Sequence, residues 1–202
     1  SYGGYVLAGF VEDNFWLGKI DTCGNMQWSR TYGGDSFDGA YSVVQTSDGG
    51  YVLAGYTESF GVGIGNFWLV KTDANGNMQW SRTYGWSGTE WACSVVQTDD
   101  GEYVLAGGTN SFGAGFDFCL VKANASGNME WARLYGGTND DDAYCMVETN
   151  VGGYAIAGYT ESFGAGCRDF WLVKVDSSGN LQWSKTYGGP DDDFACSAVQ
   201  AS

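Results

Sequence analysis

Apolar and polar positions alternate in short bursts along the whole chain. Segments of six to eight residues, rich in Val, Leu, Phe, Trp and Tyr, are bounded by Gly, Asn, Asp and Ser. Strand-forming residues framed by turn formers predict β-strands, and no stretch keeps a helical period. Four strings recur in fixed order. GGYVLAGF at Gly3 returns as GGYVLAGY at Gly49, GEYVLAGG at Gly101 and GGYAIAGY at Gly152. NFWLGKID at Asn14 returns at Asn66, Asp117 and Asp169, and GNMQWSRTYG at Gly24 returns at Gly76, Gly127 and Gly179. AYSVVQT at Ala40 is matched at Ala92, Ala143 and Ala195. Trp28, Trp80, Trp131 and Trp183 are spaced 52, 51 and 52 residues apart.

Each repeat of about fifty residues therefore predicts a four-stranded antiparallel meander, the size of one propeller blade. TSDGG and DANGN have the composition of tight hairpin turns. Strands such as YVLAGY and FWLVK are apolar on both faces, so each sheet needs a neighbour on either side. Radial packing supplies this, with the Trp and Tyr of WSRTYG filling the gaps. The expected fold is an all-β propeller, one domain over 1–202, with four blades of four antiparallel strands. Blade 1 is 1–34 plus 195–202, blade 2 is 40–85, blade 3 is 92–136 and blade 4 is 143–188. The chain opens at a second strand and finishes at a first strand. Ala195–Gln200 is thus expected to pair with Tyr5–Phe10 and close the ring, within one chain or between chains.

Composition narrows the chemistry. The net charge is −15, with nine basic residues against 24 acids. That balance argues against a phosphate-tracking surface and so against nucleic acid as partner. There is no histidine, which removes Ser-His-Asp and Cys-His catalysis and imidazole metal sites. No apolar run approaches the length of a membrane-spanning helix. Ser1 opens almost directly into a repeat, with no signal-like stretch ahead of it, the start expected of a mature product or an excised fragment. Cys23, Cys93, Cys119, Cys145, Cys167 and Cys196 form no CxxC pair. An even count permits a disulfide framework, while buried or exposed lone thiols are the plainer reading.

The hairpin KTDANGNMQWSRTYG resembles the tryptophan-docking repeat of quinoprotein-like (PQQ-like) β-propellers, and the repeats of archaeal and bacterial cell-surface propeller proteins. The resemblance spans every repeat and implies a propeller fold at a cell surface. It does not extend to quinone-dependent dehydrogenation, because neither a matching ligand set nor an adjacent-cysteine motif is present.

Candidate chemistry is mostly acidic. Asp38, Glu90, Asp141 and Asp193 each stand two residues before the Ala of an inner strand. In a closed ring they would circle one mouth of the channel, where Ca²⁺ is the natural ligand for carboxylate oxygens; solvated loops are the competing reading. Eight of the nine cations occupy repeat positions, which marks them as framework rather than catalytic groups, and only Arg168 stands outside. Trp86 and Trp91 interrupt the repeat in an inter-blade loop and are the best candidates for a sugar-stacking platform. Asn124-Ala125-Ser126 fits an N-glycosylation sequon at a hairpin tip. The reading is a non-catalytic extracellular or cell-surface propeller serving as a binding or assembly module. Its partner is a protein or glycan, self-association included. A lectin-like propeller is the alternative, and a glycoside hydrolase using carboxylates alone lies further behind.

Overall fold

The computed structural model describes residues 3–201. It contains fifteen strands: β1 (Tyr5–Val11), β2 (Asn14–Ile20), β3 (Met26–Tyr32), β4 (Asp38–Gln45), β5 (Tyr51–Thr57), β6 (Asn66–Thr72), β7 (Met78–Tyr84), β8 (Glu90–Gln97), β9 (Tyr103–Thr109), β10 (Asp117–Ala123), β11 (Met129–Tyr135), β12 (Asp141–Glu148), β13 (Tyr154–Thr160), β14 (Asp169–Val175) and β15 (Leu181–Tyr187). They form one three-stranded sheet, β1–β3, and three four-stranded meanders, β4–β7, β8–β11 and β12–β15. All pairings are antiparallel between sequence neighbours. Every complete blade has a bulge in its inner strand, at Ala40/Ser42, Ala92/Ser94 and Ala143/Cys145. The bulge leaves Tyr41, Cys93 and Tyr144 out of the ladder.

Burial follows the sandwich expectation. The central strands β6 and β9 are buried along their entire length, because sheets cover both faces. Three apolar clusters fill the spaces between successive blades. The blades are joined by a repeated clamp. Tyr32, Tyr84 and Tyr135 donate their hydroxyls to the carbonyls of Gly76, Gly127 and Gly179 in the next blade's hairpin turn, at 2.6–2.8 Å. Trp28, Trp80 and Trp131 lie against the same turns. These turns must be glycine on two counts: φ is positive, at 75–78°, and a Cβ would come within 2.7–2.8 Å of the neighbouring Trp or Arg. Arg30, Arg82 and Arg133 lie over the Trp rings, 5.4–5.7 Å from their centroids. Burial raises the Tyr32 hydroxyl to a pKa of about 12 and drives Tyr84 and Tyr135 higher still. Tyr84→Phe should therefore cost about 1 kcal/mol, one buried hydrogen bond. Urea unfolding with an unchanged native circular dichroism spectrum would show it, and an unaltered midpoint would remove the clamp from the stability account.

The expected closure is not formed. Segment 195–200 makes no ladder with β1, and β1–β3 remains three strands wide. The segment instead continues the stacking order of the inner strands onto the last blade. Asn150 N–H donates to Gln200 Oε1 at 2.7 Å, as Ser47 N–H does to Gln97 Oε1 at 2.8 Å. Asp193 N–H donates to the Arg168 carbonyl as Asp38, Glu90 and Asp141 do to Asp13, Gly65 and Phe116. Each inner strand docks on the blade before it, so 195–200 lies beside the last blade, at the opposite end of the blade series from β1.

Candidate functional site

The four sequence-selected carboxylates occupy equivalent places and are used within their own blades. Asp38, Glu90 and Asp141 are fully buried. Asp38 accepts hydrogen bonds from the Thr57 and Ser59 hydroxyls and the Gly34 N–H. Glu90 accepts from Thr109, Ser111 and the Trp86 N–H. Asp141 accepts from Ser162 Oγ at 2.8 Å and Gly137 N–H at 2.7 Å. Asp193, with no second strand beside it, accepts from Gly189 N–H at 2.8 Å. The local logic is legible: a carboxylate at the inner strand's start ties the Tyr-Gly loop before it to the Thr-x-Ser turn after the second strand. The side chains do not converge on one another. Among the described residues no group of three or more His, Cys, Asp or Glu is placed to hold a metal ion.

The residue after each anchor breaks the repeat: Gly39, Trp91, Asp142 and Phe194. Around these positions the axial edge becomes aromatic. Phe37 packs edge-on against Phe10 at 5.2 Å and meets Tyr56 at 6.1 Å. Trp91 lies on Phe116 at 4.3 Å, and its indole N–H donates to Asp142 Oδ1 across the blade boundary at 3.1 Å. Tyr159 contacts Tyr144 at 5.8 Å and Phe194 at 5.4 Å. Arg168, the cation outside the repeat, pairs with Glu161 at 2.7 Å and lies over Tyr159 and Phe194. Asp142 is nearly buried against this cluster. Burial pushes its carboxyl up to about 7; Asp140 adds to the rise, and the Trp91 and Ala143 N–H groups oppose it. The same edge holds Cys93, whose thiol is raised to about 12 by burial with contributions from Asp142 and Cys145. Burial likewise raises the Tyr144 and Tyr159 hydroxyls.

This geometry places the chain among known folds. No family model and no curated protein matches it. Among solved structures, the WD40 domain of Neurospora crassa Pan2 superposes with a TM-score of 0.56 at 10% identity, over 90% of this chain and 50% of that one. A structure titled a eukaryotic initiation factor aligns at 0.48 with 7% identity, over 96% of this chain and 45% of that one. The fold is that of a β-propeller. The chain spans about half the length of the propeller domain it matches.

The remaining sequence candidates fall into place on that fold. Trp86 packs edge-on against Phe112 at 4.8 Å, while Trp91 is engaged by Phe116 and Asp142. The two tryptophans thus face different partners. Asn124 sits in the β10–β11 turn, where its side-chain oxygen accepts from the Ser126 and Asn128 N–H groups at 3.0 Å. Ala125 and Ser126 beside it are exposed. All six cysteines are free thiols: Cys119 is buried in a core position, Cys93 and Cys145 are partly covered, and Cys23, Cys167 and Cys196 are exposed. Phe37, Phe116, Asp142, Tyr159 and Phe194 were not singled out from the sequence. For Phe37, Asp142 and Phe194 the signal was present as disagreement between repeats beside a repeated carboxylate; what hid it was that loops vary for many reasons.

Proposed function

We propose that this chain is a non-catalytic propeller module that binds a protein partner through the aromatic and acidic axial edge. The observation that carries this is the clustering of repeat-breaking residues on one edge. Phe37 packs against Phe10 and Tyr56, Trp91 against Phe116 and Asp142, and Phe194 and Arg168 against Tyr159, each beside one of the repeated carboxylates. Partly covered aromatics with a few charges are the composition of interaction hot spots. The surplus of carboxylates, with Asp140 and Glu161 on this edge, favours a basic partner segment. Placement at a cell surface or on an appendage belongs to the proposal and rests on the repeat's resemblance and the sequon at Asn124. Glycan binding is the second reading. Trp86 and Trp91 support it less, because sugar stacking needs an open ring face and both are packed against Phe.

A displayed peptide library panned on the protein, with Phe37→Ala/Phe194→Ala as the counter-selection, tests the reading. Lys- or Arg-rich peptides that bind the parent and lose at least tenfold on the variant are expected. Equal enrichment on both proteins, or retention on a glycan array with no peptide selected, would replace this function with another surface or with the lectin reading.

A further inference from the structure

The hairpin turns between the third and fourth strings of the repeat are alike in geometry and unlike in chemistry. Gly24, Gly76, Gly127 and Gly179 hold the same place, and the residues ahead of them are Cys23, Asn75, Ser126 and Ser178. Asn75–Gly76 is the one Asn-Gly pair in the chain. A glycine after a carboxamide is the arrangement in which a backbone nitrogen most readily reaches a side-chain carbonyl carbon, because no Cβ stands beside the attacking atom.

The two halves of this pair have opposite surroundings. Asn75 is exposed, and its backbone N–H donates to Asp73 Oδ1 at 2.8 Å. Gly76 is buried. Its N–H donates to the Asp73 carbonyl at 3.1 Å, its carbonyl accepts the Tyr32 hydroxyl at 2.6 Å, and Trp28 lies against it. The leaving amide is therefore in water, while the attacking nitrogen is pinned in the joint between the first and second blades. Attack requires the Gly76 peptide to swing out of the turn, a local opening that leaves the rest of the fold intact. The turn follows β6 at the opposite end of the sheet from Asp38 and Thr57, so this chemistry is separate from the partner-binding edge.

We propose that Asn75–Gly76 is a site of self-modification: when the blade joint opens, Asn75 deamidates through a cyclic imide to isoaspartate, and the product loosens the joint between the first and second blades. In the first step Gly76 N bonds to Asn75 Cγ, the Cγ–Nδ2 bond breaks, and the Gly76 amide proton leaves with that nitrogen as ammonia. In the second, water adds to the Asn75 main-chain carbonyl carbon and breaks its bond to Gly76 N. The backbone then runs through Cβ and Cγ, one methylene longer, with a new carboxylate beside Asp73. The Gly76 carbonyl is carried away from the place that Tyr32 reaches, so the joint loses its hydrogen bond and its Trp28 contact. The apolar cluster that includes Phe15, Leu17, Leu53 and Trp68 still holds the two blades together. The Tyr32 clamp is thus both the brake on the reaction and the contact that the reaction removes.

Ageing of the full chain in mildly alkaline buffer, followed by peptide mapping with mass spectrometry and isoaspartyl methyltransferase labelling, is the test. A synthetic peptide of the Thr72–Met78 sequence, aged alongside, sets the unrestrained rate. The segment around Asn75 should gain the mass of an amide-to-acid exchange and accept the label, several-fold more slowly than the peptide. Tyr32→Phe should raise that rate several-fold. Asn75→Ser, the residue that Ser126 and Ser178 supply in their turns, should block both changes. The aged parent should unfold at a lower urea concentration than the fresh protein, and aged Asn75→Ser should not shift. Fresh Asn75→Asp carries the new charge on an unlengthened backbone and should keep the parent's midpoint. An intact Asn75 after the peptide has fully converted, an equal rate in Tyr32→Phe, or an unchanged midpoint in fully converted protein would overturn the proposal. Label found only at an Asp-Gly pair such as Asp48–Gly49, with no mass gain, would do so as well.

Discussion

Glu90→Ala should cost about 4 kcal/mol of folding stability, because it strands one buried and two partly buried donors at roughly 1–3 kcal/mol each. Thr109, Ser111 and the Trp86 N–H all point at this carboxylate, and its site is closed to water. Glu90→Gln, which keeps an acceptor, should lose much less. Asp35→Ala, an exposed acid one loop earlier in the repeat, should stay within about 0.5 kcal/mol of the parent. Denaturant titration of the three variants checks the order. The same titration with added Ca²⁺ and with chelator compares the hydrogen-bond role with the cation role read from the sequence. A midpoint raised by Ca²⁺ in the parent and not in Glu90→Gln would favour the cation; equal midpoints throughout, with a large loss in Glu90→Ala, would favour the anchor.

Asp142→Asn should stabilise the protein at pH 8 and do so by only about 1 kcal/mol at pH 4.5. The folded-state carboxyl titrates at about 7, against 3.8 for the ordinary group. A raised carboxyl gives the folded state more bound protons than the unfolded state between those values. Its stabilising effect is therefore complete below about pH 4, declines as pH rises to 7 and is gone above. A gap of about three units corresponds to at most about 4 kcal/mol. Asparagine offers Trp91 the same acceptor without the buried charge, so the difference between variant and parent should grow with pH over that window. Unfolding free energies of both proteins between pH 4.5 and 8 measure it, and parallel curves would show that Asp142 is not held protonated by burial. Trp91 fluorescence should follow the same transition in the parent, since its indole N–H contacts the titrating oxygen.

The repeat made the blades readable. Strand order, hairpin positions and the two-faced burial of YVLAGY and FWLVK follow from period, turn residues and the need to cover apolar surface. These are local properties, and β5, β6, β9 and β10 fall where their strings lie. The framework role of Lys71 was also accessible: it pairs with Asp48 at 2.8 Å, within one repeat. The carboxylates stand out in the sequence as a repeat position, and their hydrogen-bond partners do not. Nothing in spacing alone reveals that the Thr-x-Ser turn, about twenty residues on, folds back to meet each one.

What the sequence determined by itself is the blade: four strands, their turns, and the Trp-Tyr-Gly clamp that each blade offers the next. What only the tertiary structure decided is which surfaces the blades cover in one another: large side chains such as Trp68, Phe118 and Trp171 fill the spaces between successive sheets, and segment 195–200 follows the last blade instead of pairing with β1. The sequence records that Ala195–Gln200 and Tyr5–Phe10 are complementary. Complementarity is a property of the strands, whereas whether they meet in one molecule is set by accumulated packing geometry that no single repeat encodes.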